Sequence, residues 1–154
     1  MDRIDNAIIA ALQNDGRMSN KVLAATVGLA PSSCLDRVRR LQDRGVITGF
    51  HAEIDPASLG IALQAFISVQ LAQHSRDVVD AFRAHLRSLD PVVAIYHVAG
   101  QEDFVVHVAV RDAEHLKDLT LDEFTTRPEV ARLNTALVYE HCGESAWPNY
   151  TVEC

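Results

Sequence analysis

The sequence predicts an α+β protein of two domains: a helical N-terminal domain and a C-terminal domain of four strands and two helices. Apolar residues within residues 1–44 recur every three or four positions, as on the buried side of short helices. After residue 62, segments of alternating polarity are interleaved with helical ones. The net charge also differs between the two parts of the chain: residues 1–50 carry a net +2 and the remainder carries a net −9. A chain of 154 residues is long enough for two small domains.

The first two helices are predicted from their apolar spacing and from the residues that flank them. The apolar residues of the first helix follow the pattern i, i+3, i+4, i+7, i+8 and are Ile4, Ala7, Ile8, Ala11 and Leu12. Asp2 is placed to cap this helix, and the sequence NDG at 14–16 to end it. Ser19 is predicted to cap the second helix, and Gly28 to end it with left-handed backbone. The residues of the second helix expected to point inward are Val22, Leu23 and Val27.

A third helix is predicted to begin at Pro31, which suits a first helical turn. At about 100° per residue, its apolar side is formed by Cys34, Leu35, Val38 and Leu41. Its opposite side is formed by Ser32, Ser33, Asp36 and Arg40, with Arg37 and Arg39 on the flanks and Arg44 just beyond. Two short helices joined to a third across a glycine turn are typical of a helix-turn-helix, with small Ala24 and Cys34 where the helices approach most closely.

The remainder of the chain predicts a linker strand and a βαββαβ domain. The apolar spacing of 45–56 indicates a wing or linker strand that stops at Pro56. Strands are predicted at 63–71, 92–98, 104–110 and 130–139, with a helix after the first strand and another after the third, the latter capped by Asp112. This order is the ferredoxin-like arrangement, an antiparallel sheet with both helices on one face. The predicted domains are 1–49 and 62–154, joined by a linker strand at 50–61, and the last residues lack periodicity, as in a tail or an arm that packs on a partner.

The strand at 104–110 is apolar at nearly every position. Such a strand requires cover on both faces of its sheet, and two helices cover only one. We therefore expect the other face to contact a second subunit.

The basic third helix predicts DNA binding. Ser32, Ser33, Asp36 and Arg40 are expected to meet base edges in the major groove, because hydroxyl, carboxylate and guanidinium groups match base-edge donors and acceptors. Arg37, Arg39 and Arg44 are expected to contact phosphates. The alternative is a solvated helix whose arginines pair with Asp36, Asp43 and other acidic residues.

Three segments of the chain resemble the Lrp/AsnC family of transcriptional regulators. They are IDNAIIAALQNDGRMS, LAPSSCLDRVRRLQDRGVITGFHAEIDP and YHVAGQEDFVVHVAV, in this order, and the resemblance covers about residues 2–142. It implies a winged helix-turn-helix joined to a ligand-binding and oligomerising (RAM) domain, with double-stranded DNA as partner. It also implies homodimers that pair sheet to sheet and assemble into tetramers, octamers or larger rings. Ala30 departs from the family, which usually has a capping serine there, and we expect Ser32 to substitute in part.

The resemblance also implies a site for a small effector, commonly an amino acid, at an interface between dimers. The matching residues are Gly100, Gln101, Asp103 and Phe104 of the G-x-x-D-Y/F turn and Ala136, Leu137 and Val138 of the final strand. Backbone N–H groups of a glycine turn suit a carboxylate, and an aspartate suits an ammonium group. A plain hairpin turn, in which Gly100 has positive φ and Asp103 makes a local hydrogen bond, and ordinary strand packing for 136–138 are the alternatives.

Other classes of protein are weakly supported. The chain has no apolar stretch of about 18 residues and no signal-like start, so we expect a cytoplasmic protein. The three cysteines form no CxxC pair, which favours reduced thiols. Six of the seven histidines leave a metal-responsive variant open, although none of them has tight ligand spacing; they are His74, His85, His97, His107, His115 and His141. No phosphate loop or nucleophile elbow is present, and the neighbouring Glu102 and Asp103 are better placed for binding than for acid–base work, so we expect neither an enzyme nor a cofactor.

The hypothesis is therefore a DNA-binding transcription regulator whose second domain senses a small molecule. An architectural protein that wraps DNA with little effector response is the alternative. In the first case, ligand and DNA binding would be coupled reciprocally.

Overall fold

A computed structural model describes residues 1–143 and 146–151 and divides into two compact units. The first unit is Met1–Glu53 with the described residues from Cys142 onward, and the second is Ile54–His141. The first unit contains α1 (Arg3–Asn14), α2 (Asn20–Val27) and α3 (Pro31–Asp43). The second contains β1 (Leu63–Leu71), α4 (Arg76–Arg87), β2 (Val92–His97), β3 (Phe104–Val110), α5 (Ala113–Thr120) and β4 (Val130–Leu137). The predicted fold class is confirmed.

The helix ends of the first unit are held by the predicted residues. The Asp2 side chain accepts from the backbone N–H of Asp5 at 2.8 Å, and Asp5 accepts in return from the N–H of Asp2. Ser19 accepts from the N–H of Val22 at 3.3 Å. Gly28 ends α2 with φ +71°, a conformation that favours glycine. These three residues define the start of α1 and both ends of α2.

The three helices share a small apolar core. Its fully buried residues are Ile8, Leu23, Ala24, Cys34 and Leu41. Leu29 packs against this core, as predicted. The prediction that Val22 and Leu35 point inward is wrong, because Val22 is 52% exposed and Leu35 is 37% exposed. Each of them lies about 100° around its helix from a buried neighbour, and a helix in a three-helix unit buries only a narrow stripe.

The predicted strand within 45–56 does not form. Residues 48–55 have no regular structure, and a short 3-10 turn, Pro56–Leu59, is capped by the Asp55 side chain. A strand needs a neighbour for its N–H and C=O groups, and within the described part of the chain no strand pairs with this segment. The alternating apolar side chains that suggested the strand remain in water, as for Phe50, which is 48% exposed.

The C-terminal segment packs on α1 of its own chain. The Gln13 amide bonds to the backbone of Trp147, accepting from its N–H at 2.7 Å and donating to its carbonyl at 3.4 Å. Asn149 donates to Asn6 Oδ1 at 3.1 Å. The segment therefore belongs to the first unit, whereas the sequence assigned it to the second domain. Residues 144, 145 and 152–154, including Cys154, lie outside the described residues; Cys34 and Cys142 are free thiols.

The second unit is an antiparallel sheet in the order β2-β3-β1-β4. One side chain in two from the central strands β1 and β3 points into the core, as the alternation predicted. The largest fully buried side chains opposite them come from the helical segments and are Phe82, Leu86 and Phe124. No helix among the described residues is long and apolar enough to cross a membrane.

The opposite face of the sheet is partly apolar and open within one chain. Phe66 and Tyr96 are exposed on it, and the Phe66 ring stacks on His107 with ring centroids 4.9 Å apart. His107 Nε2 lies 2.9 Å from Gln64 Oε1. Burial lowers the pKa of His107, and the nearby His141 lowers it further.

We expect this histidine to make stability depend on pH. Because the folded state lowers its pKa from 6.5, the unfolded chain binds a proton more readily, and the free energy of unfolding falls as the pH drops below that value. Thermal unfolding at about pH 7.5 and about pH 5.5 measures the effect. His107→Gln should reduce the difference between the two midpoints, whereas the control His51→Gln, at an exposed position, should not. An unchanged difference in His107→Gln contradicts this assignment.

Candidate nucleic-acid interface and ligand site

The exposed side of α3 carries most of the side chains predicted to contact DNA. Cys34 and Leu41 bury the other side of the helix. The exposed predicted residues are Ser32, Ser33, Asp36, Arg39, Arg40 and Arg44. Since the helix is anchored along its apolar stripe, these side chains lie on a surface that a duplex can reach.

Arg37 differs from the other arginines. Its Nη1 lies 2.6 Å from Asp2 Oδ2 and 2.8 Å from Asp5 Oδ1, and its side chain is only 24% exposed. The hydrogen bond to Asp2, and next the one to Asp5, raises the pKa of Arg37. This pair of bonds connects α3 to the start of α1. Sequence reasoning missed the role because the partners are 35 and 32 residues away.

The other three arginines are not held by acidic side chains. Among residues 1–143 and 146–151, no carboxylate oxygen lies within 4 Å of the charged nitrogens of Arg39, Arg40 or Arg44. Arg40 Nε donates only to the backbone carbonyl of Asp36, at 3.3 Å. The described structure therefore does not contain the alternative arrangement, in which Asp36 and Asp43 pair with these arginines. The three guanidinium groups are available to an external anion.

The start of α3 lacks a side-chain cap, as Ala30 led us to expect. Ser32 does not replace it, because no side-chain cap bond is formed. A different contact supports this end of the helix: Asn20 Nδ2, at the start of α2, donates to the carbonyl of Pro31 at 2.8 Å. The first-turn N–H groups of α3 thus have no capping oxygen, and this leaves the positive end of the helix dipole open.

The turn between β2 and β3 carries the first group of predicted ligand residues. Gly100 has φ +151°, and Gln101 is exposed. Asp103 is bound to the end of β1: its N–H donates to the Val69 carbonyl at 2.9 Å, and its Oδ2 accepts from the Leu71 N–H at 2.7 Å. His74 Nε2 lies 3.0 Å from the Asp103 carboxylate. Asp103 therefore holds the turn against the end of β1. This agrees in part with the alternative stated above, in which Asp103 has a structural hydrogen bond rather than a ligand contact.

Phe104 lies in the core rather than in the turn. Its side chain is fully buried, in edge contact with Phe82 at a centroid distance of 5.3 Å and stacked on His97 at 4.7 Å. The expectation that its ring faces a ligand is thus not supported, because β3 alternation directs it inward. Glu102, which precedes Asp103 in the turn, has a carboxylate oxygen that is inaccessible to solvent and has no hydrogen-bond partner among the described residues.

The second group of predicted ligand residues lies at the other end of β1. Ala136 pairs with Phe66, Leu137 pairs with Ala65, and the Val138 N–H donates to the Gln64 carbonyl. Asp103 contacts β1 at Val69 and Leu71. The contact points of the two groups lie three to seven residues apart along β1, which is about 10–23 Å, and on opposite edges of that strand. One chain therefore does not bring the predicted ligand residues together.

The second unit has two cavities, and a predicted ligand residue, Val138, lines one of them. One of about 460 Å³ adjoins the loop that carries His74 and is lined by Ala72, Gln73, Asp77, Val78, Ala81, Pro128 and Glu129. The other, of about 200 Å³, includes Gln64 and Val138 in its lining. The larger one has the size of a small-molecule site, with apolar walls and two carboxylates.

The histidines do not assemble a metal site. Among the described residues, no group of three or more His, Cys, Asp or Glu side chains is placed to hold an ion. His74, His97 and His107 are instead engaged with Asp103, Phe104 and Phe66, respectively. The arrangement offers no support for a metal-responsive variant.

Comparison with known proteins assigns both units. Residues 1–42 match the AsnC-type helix-turn-helix domain, and residues 64–148 match the Lrp/AsnC ligand binding domain. The HTH-type transcriptional regulator AldR of Mycolicibacterium smegmatis is 45% identical over 92% of this chain and 82% of its own length. The leucine-responsive regulatory protein of Escherichia coli K12 is 34% identical over 94% and 88%.

Solved structures show the same fold. A Neisseria meningitidis transcriptional regulator in complex with L-Met superposes with a TM-score of 0.91 at 27% identity, covering 99% of both chains. AldR of Mycobacterium tuberculosis superposes with a TM-score of 0.76 at 38% identity, covering 96% of this chain and all of the other.

We expect Ala30→Ser to stabilise the first unit by about 1 kcal/mol, because the hydroxyl would accept from a first-turn N–H of α3. Denaturant unfolding measures the change in the free energy of unfolding. Ala25→Ser is the matched control, since Ala25 is exposed inside α2 and serine there should be slightly destabilising. Equal effects of the two substitutions would show that the helix start gains nothing from a cap.

Proposed function

Since the chain belongs to the Lrp/AsnC family of transcriptional regulators, we propose that it binds specific sites on double-stranded DNA through α3 and alters this binding when an amino acid occupies a site shared between copies. The observation that carries the first part is the exposed α3 side with three arginines that are paired with no acidic side chain in the described part of the chain. The observation that carries the second is the separation of the two groups of ligand residues in one chain.

DNA binding divides between two kinds of contact. Ser32, Ser33, Asp36 and Arg40 face the base edges, and Arg39 and Arg44 face phosphates on either side. Arg37 is assigned instead to holding α3 against α1, because its guanidinium is already bound by two carboxylates. One such unit makes few phosphate contacts, so two units acting on half-sites about one helical turn apart supply the affinity.

Assembly supplies both the second DNA-binding unit and the complete ligand site. The open sheet face around Phe66 and Tyr96 pairs with the same face of a second copy, which covers its apolar side chains. Dimers then assemble into tetramers or octamers, in which the 99–103 turn of one copy meets the end of β4 of another.

The effector is proposed to be an amino acid. A leucine-responsive relative and a structural neighbour solved with L-Met support this class of ligand. Ligand bound between copies shifts the spacing of the DNA-binding units, and by reciprocity DNA shifts ligand affinity, with a coupling free energy of about 1–3 kcal/mol.

For the DNA contacts, Arg40→Ala should weaken binding to a specific site by about ten-fold or more and bind a random duplex as the unaltered protein does. Arg39→Ala should weaken binding to both duplexes alike and lower the salt slope by about one. Titrations at several salt concentrations, on DNA upstream of the chain's own coding region, measure both. Arg87→Ala, an exposed arginine on α4, is the control.

Wild-type affinity in both variants would show that this side of α3 does not meet DNA.

Footprints on the same DNA, with and without each amino acid, separate the two functions that the sequence left open. Phased protected half-sites that respond to a ligand support the regulator, and broad unresponsive protection would indicate an architectural protein.

For the shared ligand site, Gly100→Val and Leu137→Arg should each abolish amino-acid binding, because one strains the turn and the other places a charge at the end of β4. Co-expressed as mixed oligomers, the two variants should regain about a quarter of the sites if the groups come from different copies. Calorimetry counts the sites. Recovery of none would place the whole site in a single chain.

A further inference from the structure

The first turn of α3 is bonded to a side chain of α2 and has no side-chain cap of its own. We infer that Asn20 is a positioning residue for DNA recognition, because its bond to the Pro31 carbonyl fixes the peptide that leads into Ser32 and Ser33. This inference rests on the proposed function, in which both serines face base edges, and it identifies what sets their position.

The amide of Asn20 fits in one orientation. Its Nδ2 donates to the Pro31 carbonyl at 2.8 Å, across eleven positions of sequence. Its Oδ1 is inaccessible to solvent. If the amide were turned over, Oδ1 would lie against the Pro31 oxygen, and two acceptors repel each other. The donor group of Asn20 is therefore directed at the first residue of α3.

Asn20 is itself held in place by the start of α2. It is the first residue of that helix and follows Ser19, whose hydroxyl accepts from the Val22 N–H at 3.3 Å. Further along, Ala24 of α2 and Cys34 of α3 are buried in the same apolar core. The amide thus extends from a fixed helix start, and its bond passes that position on to the first turn of α3.

The first turn of α3 needs this support because Ala30 provides no capping oxygen. A cap normally defines where a helix begins, and helix ends without one fray more readily. Fraying at this end would displace Ser32 and Ser33, which lie in the first turn. The Asn20 bond opposes that displacement from outside the helix.

The bond of Asn20 contributes little net stability. Its Oδ1 has no hydrogen-bond donor among residues 1–143 and 146–151. A buried carbonyl oxygen without a donor destabilises the fold, and this offsets the gain from the single bond that Nδ2 makes. A residue without the amide would therefore fold about equally well, and what it would lose is the position of α3.

Asn20→Ala removes the bond and leaves the net charge unchanged. On DNA upstream of the chain's own coding region, it should weaken binding by about five-fold or more; on a random duplex, by less than about two-fold, with an unchanged salt slope. The free energy of unfolding in denaturant should stay close to that of the unaltered protein. Asn14→Ala, at an exposed position at the end of α1, is the control and should change neither affinity.

A second substitution tests the mechanism by rescue. Ala30→Ser provides a capping hydroxyl at the same turn, so adding it to Asn20→Ala should restore most of the lost affinity for the specific site. By itself, Ala30→Ser should change that affinity by less than about two-fold, because Asn20 already holds the turn. Loss of a direct DNA contact at Asn20 would not be rescued in this way.

The possible results are distinct. Equal losses on both duplexes, with a salt slope lower by about one, would show that Asn20 contacts a phosphate instead. Unchanged specific affinity in Asn20→Ala, a loss that Ala30→Ser does not restore, or a loss of stability large enough to explain the weaker binding would each overturn the inference. If the unaltered protein binds the upstream DNA no better than a random duplex, the proposed function fails first, and this inference fails with it.

Discussion

Burial of one side of α3 is the constraint on which the DNA-binding unit depends. Cys34 and Leu41 are excluded from solvent against α1 and α2, and the rotation of α3 follows from that contact. The serines and most of the arginines are thereby left in water. The ion pairs from Arg37 to Asp2 and Asp5 act in the same direction, because they tie the flank of α3 to a second helix. The chemistry of the exposed side depends on apolar packing that contains none of the residues proposed to bind DNA.

The central strand β1 has the corresponding role in the second unit. It pairs with β3 along one edge and with β4 along the other, and its inward side chains are fully buried along most of its length. Because both groups of predicted ligand residues are bonded to this one strand, the sheet sets the distance between their points of attachment.

Much of this architecture was predictable from local patterns in the sequence. Asp2, Ser19 and Gly28 acted at the helix ends as their side chains or conformational freedom suggested, and strand alternation predicted the inward residues of β1 and β3. Three further differences arose where a partner distant in sequence decides the outcome. Residues 48–55 have the pattern of a strand but no pairing neighbour in one chain. Arg37 and His74 bind acidic residues remote in sequence, which no local pattern reveals.

The segment after α3, which pairs with no strand of the described chain, affects how the stability of the protein depends on its concentration. Val46 and Phe50 keep much of their apolar surface in water in a solitary chain. Any association that shields them links folding to association, so the melting temperature rises with protein concentration.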